Sequence, residues 1–280
     1  MNAYVNSLAG GKAVRSSARI EAFIRATDFD RPTLVLDTEL VAQQFRALKA
    51  GLGRADIHYA VKANPERAVI ETLVAEGSHF DAASRGEIEL CLGLGARPET
   101  ISFGNTIKKP VDIAFAYGAG ITLFAADSDM ELEKIAAHAP GVEVYIRLLM
   151  GTTEADWPLS RKFGTMESEV NALLAYAVHL GLKPVGLSFH VGSQTRRAEM
   201  WRDTLDRVAN VWTSAREAGF DLSLINIGGG FPAFYGEAID APEVYAAAVM
   251  DMVEPRFPGA TRIMAEPGRG MVAEAGMIAA

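Results

Sequence analysis

The stretch IHYAVKANPERAVIETLVAEG, residues 57–77, decides the fold. Ile57, Tyr59, Ala60 and Val61 form an apolar run that reads as the end of a buried strand. Asn64 and Pro65 interrupt it. Beyond them Val69, Ile70, Leu73 and Val74 recur at helical spacing until Gly77 closes the segment. This is one strand–turn–helix unit, and Lys62 stands where the strand gives way to the turn. Lysine is among the residues least often buried without a partner. Either Lys62 snorkels out at a strand end, or an amine is being held in a dry pocket.

The same unit recurs along the chain. Short apolar runs follow at residues 79–84, 101–105, 121–127, 142–149, 184–192, 222–230 and 261–269. A segment with i, i+3, i+4 apolar spacing, often ending in Gly, separates each from the next. Strand–helix alternation eight times over predicts a parallel sheet closed into a (β/α)8 TIM barrel. Upstream, TLVLD (33–37) reads as an additional strand and residues 39–50 as an amphipathic helix.

Composition narrows the function classes. The 280 residues are 49% apolar and 22% charged, the balance of an ordinary globular protein with a sizeable core. The net charge of −8 comes from interspersed residues with no Lys/Arg run, which argues against a nucleic-acid or anionic-membrane partner. Cys91, the single cysteine, lies in an apolar helix-like run and reads as a core residue in a reducing compartment. The start of the chain lacks the apolar centre of a signal peptide, and no run has membrane-spanning length. The expected location is the cytoplasm.

In a barrel, the C-terminal ends of the strands surround one pocket. Those ends carry Lys62, Asp81, Asn105, Asp127, Arg147, His190, the Gly228-Gly229-Gly230 run, Glu266 and Arg269. Polar groups look nearly absent from the strand interiors. No His/carboxylate spacing fits zinc, so no metal is expected. Three Gly-containing turns, HVGSQT with Gly192 and Ser193, NIGGGFP, and AEPGRG with Gly268, end the last three barrel strands, where barrels commonly hold a phosphate. A phosphate site, a lysine on the first barrel strand and a carboxylate on the eighth together point to pyridoxal phosphate. Its aldehyde would condense with Lys62 as a Schiff base, its ring nitrogen would face Glu266, and His190 would lie over the ring face. Such a carboxylate–pyridinium hydrogen bond is worth roughly 1.5–3 kcal/mol. Singly, each residue has an ordinary explanation: a core histidine for His190, a salt bridge for Glu266, a structural role for Arg269. His58, His79, His138 and His179 keep the core explanation, and Lys108 and Lys109 look like solvated loop charges.

Six motifs in order, YAVKAN, FDAASRGEI, WPLSRKFG, SFHVGSQ, NIGGGFP and AEPGR, make the chain resemble the fold-type III pyridoxal-phosphate decarboxylases, an alanine-racemase-like fold. Ornithine and ornithine/lysine decarboxylases are most similar. The resemblance implies that Lys62 is the Schiff-base lysine, His190 the stacking residue and Glu266 the pyridinium partner. It implies that Ser193, Gly229, Gly230, Gly268 and Arg269 serve the phosphate. Asp81, Glu87 and Arg147 match positions around the cofactor, and Lys162 matches a mobile active-site loop. Racemases of this fold place an arginine at the ring nitrogen, so Glu266 favours decarboxylation. The implied reaction converts a basic L-amino acid, L-ornithine or L-lysine, to a diamine.

The resemblance also implies a second, β-rich domain. Residues 1–37 would join it, 38–272 would form the barrel, and 273–280 would begin the rest of it. On that reading TLVLD lacks its strand partners here. The absent part would supply a proton-donating cysteine and substrate-selecting acids, with the full-length form a homodimer whose sites lie between subunits. The alternatives are a diaminopimelate or carboxynorspermidine decarboxylase, a cofactor-binding homologue without catalysis, or a non-enzymatic regulator that sequesters a partner protein.

Overall fold

The computed structural model describes residues 17–150 and 162–280. Eight parallel strands close the barrel: β2 (Asp56–Ala60), β3 (His79–Ala82), β4 (Ile101–Phe103), β5 (Leu123–Ala126), β6 (Glu143–Arg147), β7 (Lys183–Ser188), β8 (Leu224–Asn226) and β9 (Arg262–Ala265). Closure comes from β2 pairing with β9, Asp56 opposite Met264 and Ile57 opposite Ala265. The eightfold rhythm of the sequence is therefore the architecture. Each run is longer than its strand because its last residues form the turn at the rim.

The helices follow from capping and periodicity. Ser84 accepts the Glu87 N–H to start the helix Arg85–Gly93, and Ser128 does the same with Glu131 for Asp129–His138. At the other end, Gly77 takes φ +79°, a left-handed turn that costs a glycine little. The following Ser78 N–H returns to Leu73 O at 2.9 Å, and the chain enters β3. Tyr59, Val61, Phe80 and Phe103 are buried in the large core between barrel and helices, with Cys91 among them. A smaller cluster of Leu123, Ala125, Tyr145, Leu224 and Met264 fills part of the barrel interior.

Three expectations need correction. First, TLVLD does have a partner: β1 (Thr33–Leu36) pairs antiparallel with β10 (Gly276–Ala279), Leu34 opposite Ile278. Secondly, the strand interiors are not free of polar groups. His58, Asp81, Ser102 and Tyr145 are buried inside their strands, whereas Ser188 and Asn226 stand at strand ends, as expected. Thirdly, Lys108 is not solvated. Its side chain is fully buried, with Nζ 3.0 Å from Glu131 Oε1 and donating to Asn105 O and Ala125 O. Lys134 grips the other Glu131 oxygen at 2.5 Å. Burial pushes Lys108 down to about 8, against the pull of Glu131. Lys109 is exposed, as expected.

Candidate active site

The strand-end residues of the candidate site lie at the C-terminal end of the barrel, but the strands position them differently. Lys62 sits in a single 3-10 turn, Val61–Ala63, directly after β2. Asp81 projects from within β3 and is 2% exposed. Lys62 Nζ donates to Asp81 Oδ2 at 3.2 Å, although 59% of the lysine side chain is accessible from the mouth of the barrel. Asp81 holds the ammonium above its usual range, burial opposes that, and Glu266 adds to it. Gly104 makes the pair possible, since a Cβ there would stand 1.8 Å from Asp81 Oδ1.

Glu266 follows β9 directly. Burial, and next the charge of Asp81, push its carboxyl up to about 7, while Lys62, a hydrogen bond from Asn226 and Arg147 pull it down. Asn226, buried at the end of β8, donates from Nδ2 to Glu266 Oε1 at 2.5 Å and accepts the Gly228 N–H on Oδ1 at 2.9 Å. One amide therefore ties the carboxylate to the glycine run. Asn226 belongs to the NIGGGFP motif, yet its role was invisible until Glu266 came within reach.

His190 lies two residues past β7 and accepts the Gly192 N–H on Nδ1 at 2.9 Å. That bond leaves the ring proton on Nε2. Burial first, then Arg147 and Lys62, push the imidazole down to about 3, so it is neutral across the physiological range. Gly229 lies beneath it: a Cβ there would stand 3.2 Å from His190 Nε2 and 2.8 Å from Glu266 O. Arg147, the last residue of β6, places its guanidinium 5.6 Å from the Phe163 ring centre.

The three glycine turns converge beside this group. Arg269 Nε donates to Ser193 Oγ at 3.1 Å, and its NH1 donates to Tyr235 Oη at 3.1 Å. Thr195 N–H reaches Gly230 O at 2.9 Å, bridging two of the turns. Gly268 packs so closely on the Lys62 turn that a Cβ would stand 2.8 Å from that of Ala63. Gln194, a non-glycine residue at φ +61°, is locked by bonds in both directions with the Ala233 backbone. Such strain is characteristic of functional turns. Tyr235 and Gln194 were not identified from sequence as site residues; only the strained backbone marks the latter.

Among the remaining expectations, Glu87 Oε2 accepts the Ala83 N–H at 2.6 Å and so braces the turn after Asp81. Asp127 accepts the Gly164 N–H at 2.8 Å, anchoring the return of the fifth rim loop. Lys162 is exposed, but residues 157–161 of its motif lie outside the described residues.

A family model described as pyridoxal-dependent decarboxylase, pyridoxal binding domain, matches residues 38–273. The chain belongs to this family. Ornithine decarboxylase of Mus pahari is 36% identical over 239 residues, 85% of this chain and 51% of that protein. Lysine/ornithine decarboxylase of Selenomonas ruminantium is 32% identical over 244 residues, 86% of this chain and 61% of the relative. The chain thus spans about half the length of the first of these curated relatives. Among solved structures, the Vibrio vulnificus lysine/ornithine decarboxylase complexed with putrescine superposes with a TM-score of 0.84 at 33% identity, covering 94% of this chain and 70% of that one. The Paramecium bursaria Chlorella virus arginine decarboxylase bound to agmatine also gives 0.84, at 29% identity, covering 92% and 70%.

The residues present fit the family's cofactor. An amine, a neutral imidazole, a protonatable carboxyl, a hydroxyl, a guanidinium and glycine turns too tight for a Cβ are the groups that an aldehyde, an aromatic ring, a ring nitrogen and a phosphate require.

Proposed function

We propose that this chain is the cofactor-binding barrel of a decarboxylase of basic L-amino acids, with L-ornithine the first substrate and L-lysine the second, producing a diamine for polyamine synthesis. The observation that carries the reading is a carboxyl, not a guanidinium, at the floor of the site: Glu266, held by Asn226 and facing the Lys62–Asp81 pair. The relatives named for ornithine, lysine and arginine decarboxylation support the substrate class.

In this reading Lys62 is the attachment point. His190 would stack on the ring and Glu266 would hold the ring nitrogen. Ser193, Gly229, Gly230, Gly268 and Arg269 would hold the phosphate, and Asp81 and Arg147 would line the site around it. When bound, pyridoxal phosphate supplies an aldehyde for the substrate amine and a protonatable ring that accepts the electron pair left when the Cα carboxylate departs as CO2.

The protein's own groups do the rest. Asp81 orients Lys62 Nζ and is the nearest acceptor for its proton. Burial makes the Glu266 carboxyl easy to protonate, and as a carboxylate held by Asn226 it would hold a protonated ring nitrogen in place. His190 is uncharged, so it can stack without repelling a cation. In this reading the working enzyme is a cytoplasmic homodimer.

The test is CO2 release from carboxyl-labelled L-ornithine, L-lysine and L-arginine in the presence of pyridoxal phosphate, with Lys62→Ala alongside. Release from ornithine or lysine that Lys62→Ala abolishes supports the reading. Equal release by both proteins contradicts it.

A further inference from the structure

Branched apolar side chains normally fill the layers inside a (β/α)8 barrel. Below the Lys62 site this barrel departs from that rule. His58 of β2, Ser102 of β4 and Tyr145 of β6 are all buried in its interior. His79 Nδ1 lies 3.3 Å from His58 Nε2, and His58 Nδ1 lies 3.4 Å from Ser102 Oγ. The Tyr145 phenol lies beside Ser102 and feels the charges of Glu266, Asp81 and Arg147. Its hydroxyl nevertheless closes no hydrogen bond of good geometry among the described residues.

A second buried polar atom shares that state. Asp81 gives Oδ2 to Lys62, but no described group donates to Oδ1. That oxygen lies over Gly104, at the end of β4. Tyr145 packs against Ala125, its register partner on β5. Between Asp81 on β3 and Tyr145 on β6 stand two small residues, Gly104 just past β4 and Ala125 on β5, with Ser102 of β4 opposite Asp81. Asp81 Oδ1 has no described donor, and Tyr145 Oη has only Ser102 beside it, in a contact of poor geometry. Leaving either unpaired would cost about 1–3 kcal/mol. A buried water typically makes two to four hydrogen bonds, and here Asp81 Oδ1, Tyr145 Oη and Ser102 Oγ are candidates.

We propose that Tyr145 is a positioning residue of the site: its hydroxyl reaches Asp81 Oδ1 through one water held over Gly104 and Ala125, and this bridge fixes the Asp81 carboxylate opposite Lys62. The inference rests on the Lys62–Asp81 pair and not on the substrate. Its consequence for function rests on Lys62 being the reacting amine.

The test reads Lys62 in the cofactor-free protein. The lysines are labelled by 13C reductive methylation, the Lys62 signal is assigned with Lys62→Arg, and its titration is followed by NMR. The charged groups facing this amine are Asp81, Glu266 and Arg147, with neutral His190 beyond them. Tyr145→Phe removes only the hydroxyl and keeps the ring. Asp81→Asn removes the charge and serves as the reference. The expected result is a fall of the Lys62 midpoint by about half a pH unit or more in Tyr145→Phe, and by more in Asp81→Asn. A fall in Asp81→Asn with none in Tyr145→Phe overturns the proposal and leaves the Lys62–Asp81 pair standing. No fall in either overturns both. A structural role for the phenol would move the melting temperature and leave the Lys62 titration in place.

Discussion

Glu266→Gln turns the electrostatics of the site into a number. Glu266 titrates near about 7 in the folded chain against an ordinary 4.5. Between those values the folded protein holds a proton that the unfolded chain has released. Stability contributed by this group is therefore complete below pH 4.5 and declines as pH rises through 7. At roughly 1.4 kcal/mol per pH unit, the full loss is about 3 kcal/mol. Glutamine has no proton to lose, and its amide oxygen can still accept from Asn226 Nδ2. The unfolding free energy of Glu266→Gln minus that of the parent should rise by about 3 kcal/mol from pH 4.5 to 7 and then level off. His58 and His190 are shifted down by burial, so their stability is lost as pH falls, the opposite slope. Both proteins share that effect, and it cancels in the difference. Urea unfolding followed by the fluorescence of buried Trp201 and Trp212 supplies the measurement. A difference that stays flat, or falls with pH, would refute the claim that a buried, protonated Glu266 waits at the floor of the site.

Two other changes probe different parts of the account. Lys108→Met strands half of a buried ion-pair network and leaves the Asn105 and Ala125 carbonyls without their donor, so urea unfolding should show a loss of about 3 kcal/mol. Lys109→Met, on the exposed side of the same loop, should cost less than about 0.5 kcal/mol. Arg269→Ala should weaken binding of pyridoxal phosphate about 10–100-fold. Binding of pyridoxal itself should barely change when both ligands are titrated by quenching of tryptophan fluorescence. Equal weakening for both ligands would move Arg269 away from the phosphate.

The barrel was legible because its signal is periodic: eight strand–helix units, each closed by turn residues, leave few other topologies. The rim residues were legible for the same reason, since polar groups at strand ends of a barrel share a pocket. What escaped depends on pairings that no local pattern carries. Lys108 resembles a loop lysine until Glu131, on the helix of the following strand–helix unit, is brought against it. Parallel strands are buried on both faces, so alternation does not mark which residues point inward. His58, Ser102 and Tyr145 consequently gave no sign of forming an interior polar layer. The pairing of β1 with β10 joins the beginning and end of the described chain, beyond the range of any sequence window.

The most direct test of the central claim is borohydride reduction of the chain with pyridoxal phosphate, followed by peptide mapping. The expected result is a pyridoxyl adduct confined to Lys62, abolished by Lys62→Ala. Adducts scattered over exposed lysines such as Lys109 and Lys162, with Lys62 unmodified, would contradict it.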